Sequence, residues 1–251
     1  EHRSPGRARK VVYFVDTWTN YFTPQVGVAA VRVLEKLGFE VIVAPHVCCG
    51  RPAISKGMLD EAKRLAERNA AILSAYAEAG LPIVGTEPSC ILTFTDEFPQ
   101  LVRTPEARKI AQSAMLLDTL IARQLDDDPS IAGARTGSRG LLVHGHCHQK
   151  ALVGTAHSMR ILRAFCGPNV AEINGGCCGM AGSFGHESEH YEVAKAIGED
   201  RVFPAVRRCG QADIVVTGFS CRHQIDHHTS SRPRHVIEHI ADSLLCTDHQ
   251  S

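Results

Sequence analysis

The chain has no excess of either charge: Lys plus Arg and Asp plus Glu both number 27 in 251 residues. Without a net field or a block of like charge, binding to nucleic acid or an anionic membrane is a poor expectation. There is no apolar run near the ~20 residues that span a bilayer. The polar start, residues 1–10, is unlike a secretory signal. The expected compartment is the cytoplasm, with at most peripheral contact with a membrane. Several chemical motifs are missing as well. No Gly-x-Ser-x-Gly elbow or His-Glu-x-x-His occurs, which removes the commonest hydrolase signals. The tight Cys-x-x-Cys-x-x-Cys run of bacterial ferredoxins is absent. The glycines of Gly179, Gly182 and Gly185 fall in the wrong order for a dinucleotide or phosphate loop.

What is present is an ordinary apolar content, 44%, enough for one large or two small domains. The chain opens on Glu1 with a stretch rich in Arg, Ser, Pro and Gly, so residues 1–10 are expected to be a linker and the chain a segment of something longer. Ten cysteines are many for a chain with no export signal. Reduced thiols at this density more often ligate metal or carry redox chemistry than form disulfides. Cys166 and Cys209 fall near the ends of helical patterns and Cys246 in the polar tail, so these three are expected to be incidental.

The other cysteines lie in an internal repeat, a pattern far harder to obtain by chance than a single match. His46-Val47-Cys48-Cys49-Gly50 is echoed by Gly175-Gly176-Cys177-Cys178-Gly179, an offset of 129. Pro88-Ser89-Cys90 is echoed by Phe219-Ser220-Cys221, an offset of 131. The apolar run leading to Asp16 and Thr17 matches the one leading to His146 and Cys147, an offset of 130.

The elements between these anchors repeat too. In the first half a strand over Val11 to Val15 precedes a helix opened by Thr23-Pro24 and closed before Gly38. A strand over 41–44, the Cys-Cys-Gly loop, a long helix stopped by Gly80 and a strand over 83–85 follow. In the second half the order is strand (141–143), helix (158–166), strand (170–173), Cys-Cys-Gly loop, helical region (187–208) and strand (214–217). Pro105 to Gln124 reads as one amphipathic helix through Ile110, Ala114, Leu117 and Ile121. Strands alternating with helices predict an α/β fold of two pseudo-repeated lobes, each with a small parallel sheet. The expected division is a first lobe over 11–125, a linker over 126–139 and a second lobe over 140–246. Ligands gather at the carboxyl ends of such strands, and every anchor cysteine sits just after one.

Neighbouring residues in an extended segment point to opposite sides, so adjacent cysteines chelate one tetrahedral ion awkwardly. A cluster of several irons offers separate coordination points. Gly50 and Gly179 permit positive φ and close approach of the main chain to an inorganic core. Cys147, Cys177, Cys178 and Cys221 then give four thiolates from three strand ends, the usual ligation of a four-iron cluster.

The pattern resembles the Cys-Cys-Gly domain family. That family occurs in the cysteine-rich subunit of heterodisulfide reductase and in the iron-sulfur subunits of glycolate oxidase and anaerobic glycerol-3-phosphate dehydrogenase. It also forms the carboxyl-terminal part of large FAD-linked oxidases of the D-lactate or D-2-hydroxyglutarate dehydrogenase type. The likeness to the last group runs through Glu87-Pro88-Ser89-Cys90, the segment His144-Gly145-His146-Cys147-His148-Gln149, the second glycine-rich loop, and Gly218-Phe219-Ser220-Cys221-Arg222-His223-Gln224. It covers nearly the whole chain.

The resemblance implies that each half carries a Cys after the first strand, the Cys-Cys-Gly, and a final Cys-x-x-Cys. Here Thr17, Glu87 and Gly218 replace three of those cysteines. The second site keeps four thiolates, which favours an ordinary 4Fe-4S cluster over a five-cysteine one. The first keeps Cys48, Cys49 and Cys90, with Glu87, Asp16 and His46 near in sequence. Zinc or another single ion, a second or incomplete cluster, or no metal are all compatible with that set.

Among the histidines, His144, His146 and His148 alternate around Cys147, where a cluster ligand or a proton carrier fits as well as plain polar packing. His223 stands beside the site. His227, His228, His235 and His239 read as surface or helix positions. The expected role is an iron-sulfur electron-transfer domain of an FAD-linked 2-hydroxyacid oxidoreductase. By resemblance its partners are an FAD-binding domain or subunit, a ferredoxin-like iron-sulfur domain, and a quinone or other carrier. With no flavin site in the chain, the domain alone is not expected to turn over substrate. Two alternatives remain: a thiol- or disulfide-active domain like heterodisulfide reductase, and a non-enzymatic zinc-stabilised docking module.

Overall fold

The computed structural model describes residues 9–132 and 139–245. Residues 1–8 of the expected leading linker, 133–138 of the expected central one, and Cys246 lie outside the described residues. Two four-stranded sheets, each wholly parallel, carry the fold. The first contains β1 (Arg9–Tyr13), β2 (Phe39–Val43), β3 (Ile83–Gly85) and β4 (Ala114–Leu116), in the order β2-β1-β3-β4. The second contains β5 (Leu141–His144), β6 (Val170–Glu172), β7 (Asp213–Val216) and β8 (Arg234–His235), in the order β6-β5-β7-β8. The two orders are the same topology traced twice.

Register fixes which residues of the two lobes correspond. Val11 pairs with Val41 as Leu141 pairs with Val170, and Val12 pairs with Ile83 as Leu142 pairs with Ile214. Phe14 therefore stands where His144 stands, Asp16 where His146 stands, and Thr17 where Cys147 stands. Beyond the third strand of each sheet, Glu87 corresponds to Gly218 and Cys90 to Cys221.

Buried β-branched residues make the inner strands, Val11 and Val12 in one lobe and Val215 and Val216 in the other. The long helix Leu59–Glu78 buries Ala62, Ala66, Leu73 and Ala77 on one face. Helix Pro24–Lys36 begins on the proline and ends before Gly38, whose φ of 83° no β-branched residue tolerates. Between the sheets lies a shared core. Helices Pro24–Lys36 and Leu117–Asp127 from the first half meet Ala156–Cys166 and Val236–Leu245 from the second there, through Val33, Ile121, Phe165 and Ile240 among others. Each sheet has its own further core on the outer face.

Two expectations need correction. The run from Pro105 to Gln124 is not one helix but two, Pro105–Ser113 and Leu117–Asp127, with β4 between them. Its apolar stripe is misleading because Ile110 and Ala114 bury in the outer core of the first lobe while Leu117 and Ile121 bury in the central one. The strand carries the chain from one face of the sheet to the other. The helical region over 187–208 is as expected, a 3₁₀ turn over Ser188–His190 and then helices Tyr191–Asp200 and Val202–Arg207, with the Phe203 ring folded onto Gly198. His235 is neither exposed nor helical. It lies in β8, 5% exposed, and accepts from the Ile237 N–H at Nδ1 while Nε2 faces the Thr86 and Thr217 carbonyls at 3.3 and 3.2 Å. His239 is helical, as its spacing indicates, and also buried.

Candidate metal centre

Strands β6, β5 and β7 are neighbours, so their carboxyl ends share one edge. His144 is the last residue of β5, and three residues later Cys147 opens the helix Cys147–Leu152. That helix is capped by its own sequence: the His148 N–H donates to His146 Nδ1 at 3.1 Å. The His146 N–H in turn donates to the Thr217 hydroxyl at 2.8 Å, which ties the ends of β5 and β7 together. After β6, the loop through Gly175 and Gly176 delivers Cys177 and Cys178. Lys150 Nζ holds that loop by donating to the Gly175 carbonyl at 2.7 Å and the Gly176 carbonyl at 3.3 Å. Cys221 lies in the first turn of helix Phe219–His228, just after β7.

Gly179 is required by packing as much as by its φ of 97°. A Cβ there would overlap the Ala194 carbonyl oxygen. The equivalent Gly50 shares the left-handed φ, 89°, but a Cβ would come no closer than 3.4 Å to the Ala62 carbonyl oxygen.

The structure brings all four expected second-lobe thiols together. Cys147 interacts with Cys177, Cys177 with Cys178, and Cys178 with Cys221. Cys178 and Cys221 are buried, Cys177 is half-buried and Cys147 is exposed, so the set runs from the interior to the surface. One ring nitrogen of His144 and the sulfurs of Cys178 and Cys221 all lie within 4.8 Å of one another. Cys177 is held far below the ordinary thiol range, by Cys147 first and then Cys178, against the cost of burial. Cys221 is held down by Cys178 in the same way, with help from the neighbouring His144 and His146. Their partners Cys147 and Cys178 are pushed up. Two of the four thiols thus ionise readily, and the other two give up their protons only to a cation that binds them.

The first-lobe thiols also meet, Cys48 against Cys49 and Cys49 against Cys90, but in a different field. Cys90 gains from its bond with Cys49, yet burial and the carboxylates of Asp16 and Glu87 outweigh it and push the thiol up to about 11. Cys48 and Cys49 are pushed up too. Buried Asn69 fixes the loop by donating to the Cys48 carbonyl at 2.9 Å. His46 is exposed, with Nε2 3.4 Å from the Thr17 hydroxyl. Glu87 points the other way. Oε1 accepts from the Ser89 hydroxyl at 2.7 Å, and Oε2 accepts from the Phe219 N–H of the second lobe, also at 2.7 Å.

A cleft of about 490 Å³ opens between the lobes onto the second site, lined by Cys147, Cys177, Cys178, His148, Trp18 and Arg51 among others. Trp18, the single tryptophan, stacks on Phe219 with ring centroids 4.6 Å apart. His148 is pushed down to about 4, by burial first and then by Arg51 and His146. Sequence patterns gave no sign of Trp18, Arg51 or Lys150 as parts of the site. Trp18 directly follows Thr17, the counterpart of Cys147, and that placement is the one signal pointing to it. The nine cysteines among the described residues are free thiols.

A family model described as a cysteine-rich domain matches residues 11–95. Lactate utilization protein A of Bacillus velezensis (strain DSM 23117 / BGSC 10A6 / LMG 26770 / FZB42) is 32% identical over 184 residues, 70% of this chain and 74% of that protein. This chain belongs to the Cys-Cys-Gly cysteine-rich domain family. D-2-hydroxyglutarate dehydrogenase of Escherichia coli (strain K12) is 30% identical over 239 residues, 95% of this chain but 23% of the relative. A subunit of the anaerobic glycerol-3-phosphate dehydrogenase of the same organism is 29% identical over 238 residues, 94% of this chain and 59% of the relative. The cysteine-rich domain thus spans about a quarter of the one and under two thirds of the other. No helix among the described residues is long and apolar enough to cross a membrane.

Proposed function

We propose that this cysteine-rich domain is the electron-transfer part of an FAD-linked 2-hydroxyacid oxidoreductase, with a 4Fe-4S cluster held by Cys147, Cys177, Cys178 and Cys221. The observation that carries the reading is the continuous set of four thiols delivered by three adjacent strand ends. The residues fit the group. Each of the four thiols touches the next, and Lys150 fixes the loop that carries two of them from outside. When bound, such a cluster supplies one-electron exchange, which can join the two-electron chemistry of a flavin to a quinone or another carrier. The relatives named as dehydrogenases support the oxidoreductase class, and the names D-2-hydroxyglutarate dehydrogenase and lactate utilization protein A support a 2-hydroxy acid as the substrate of the whole enzyme. FAD is assigned to another domain or subunit.

In the first lobe, Cys48, Cys49 and Cys90 would hold a single ion such as zinc or a second, incomplete cluster. That site has one thiol fewer, and the Glu87 carboxylate is engaged by Ser89 and Phe219. The exposure of Cys147 on the cleft favours a second reading, in which the site acts on a thiol or disulfide.

Anaerobic purification and reconstitution, followed by metal and sulfide counts, tests the assignment. About four irons and four acid-labile sulfides per chain are expected, lost in Cys178→Ser and Cys221→Ser. Zinc alone with no sulfide would leave a docking scaffold in place of an electron carrier. D-lactate, D-2-hydroxyglutarate or glycolate with a dye acceptor should give no reduction by this chain alone. Reduction of the cluster by an added dithiol would favour the thiol reading.

A further inference from the structure

His144 is fully buried, 0% exposed, and neither of its ring nitrogens has a hydrogen-bond partner among the described residues. Among those residues the one group in reach of the ring is the Cys221 sulfur, at a geometry short of a full hydrogen bond. Burying an imidazole in this way forfeits its hydrogen bonds to water with no return, and buried polar groups left so are uncommon in native folds.

The fold has no need of a polar ring at this place. The corresponding residue of the first lobe is Phe14, 1% exposed, which meets Phe94 edge-on with ring centroids 4.9 Å apart. An apolar ring therefore satisfies the same strand end in the same topology. The imidazole appears only in the lobe that gathers four thiols. There, one of its nitrogens and the sulfurs of Cys178 and Cys221 fall within 4.8 Å of one another. A neutral imidazole offers a lone pair suited to iron or zinc.

We infer that His144 is a direct ligand of the metal group in the second lobe, its ring nitrogen joining the sulfurs of Cys178 and Cys221. This rests on the reading of that lobe as an iron-sulfur site. With Cys147 and Cys177 the site then offers five donors, one more than the four irons of a cubane take, so the neutral nitrogen binds an iron in place of one of the four thiolates. A neutral nitrogen donor raises a cluster's reduction potential relative to thiolates alone.

The experiment reads nitrogen directly. The chain, unlabelled or grown with ¹⁵N-histidine, is reconstituted anaerobically, assayed for iron and sulfide, reduced, and examined by pulsed EPR. A strongly coupled nitrogen that changes with the histidine label is expected, lost in His144→Phe together with a fall in reduction potential. Phe14 shows that phenylalanine suits the equivalent strand end of the first lobe, and the labelled wild-type chain needs no variant. Bound iron and sulfide with no histidine coupling in the wild type would overturn the inference while leaving the cluster reading intact. Absence of iron and sulfide would sink the cluster reading itself and this ligand with it, so the counts tell the two failures apart.

Discussion

The Glu87 carboxylate of the first lobe accepts from the Phe219 N–H of the second at 2.7 Å, beside Gly218, its own counterpart in the repeat. A Cβ on Gly218 would lie 3.2 Å from both Glu87 oxygens and 2.8 Å from His146 Cδ2. The long side chain in one lobe occupies the space left by the missing one in the other. The two departures from the repeated cysteine are thus one feature of the lobe interface.

Glu87 is 3% exposed, so Glu87→Ala leaves the Phe219 N–H and the Ser89 hydroxyl without their acceptor. A loss of about 1–3 kcal/mol is expected. Gly218→Ala should cost a similar amount by crowding Glu87 and His146. In the double variant the costs should fall short of their sum, because removing the carboxylate relieves part of the crowding. Denaturant unfolding of the four proteins measures this, and strict additivity would refute the coupling.

The two Cys-Cys-Gly glycines should respond unequally to alanine, although both have positive φ. Gly179→Ala drives a Cβ into the Ala194 carbonyl, and the helix Tyr191–Asp200 must move to accept it. A cost of roughly 3–5 kcal/mol is expected. Gly50→Ala meets only ordinary neighbours and pays chiefly for its φ, about 1 kcal/mol. Equal losses in urea unfolding would show that the second loop is less tightly seated than its contacts imply.

Much of this was legible in the chain itself because duplication doubles every signal. The offsets of the cysteine pairs, the strand-helix order and the positive-φ glycines could all be read before any coordinate. Two kinds of feature could not. The fourth strand of each sheet is short, three residues in Ala114–Leu116 and two in Arg234–His235, and neither has an alternating pattern to show it. Such strands form because the exposed edges of β3 and β7 need partners, a tertiary cause. Contacts between lobes were hidden for the same reason. Glu87 was a plausible ligand by its place before Cys90, and its turn toward Phe219 depends on how the two lobes pack.

Trp18 lines the cleft that holds Cys147 and Cys177, and no other tryptophan competes with it. Its emission should therefore report on the second site. Loading iron and sulfide should quench it, since the absorption of a cluster overlaps indole emission, and stripping the metal with a chelator should restore it. The variant Cys221→Ser should show no quenching under the same treatment. Emission indifferent to loading, in a sample whose iron and sulfide counts are full, would place the cluster away from this cleft.

Asp16 supplies a pH dependence with a definite sign. It caps the helix Thr17–Tyr21, accepting from the Thr19 N–H at 2.9 Å and the Thr19 hydroxyl at 2.7 Å. Burial first, and then the Glu87 carboxylate, push it up to about 6 in spite of those bonds. The folded chain thus holds this proton more tightly than the unfolded chain, where an aspartate titrates near 3.9. Its contribution to stability is fully present below about pH 4 and is lost as pH rises through about 6. The two-unit gap corresponds to about 3 kcal/mol at most. Asn at this position caps equally well and does not titrate. On chelator-treated protein, Asp16→Asn should therefore gain on the wild type between pH 4 and 7, by up to that amount, in urea unfolding at each pH. A difference between the two proteins that stays flat across the range would mean that the Asp16 carboxylate is charged in the folded state, with Thr19 outweighing burial.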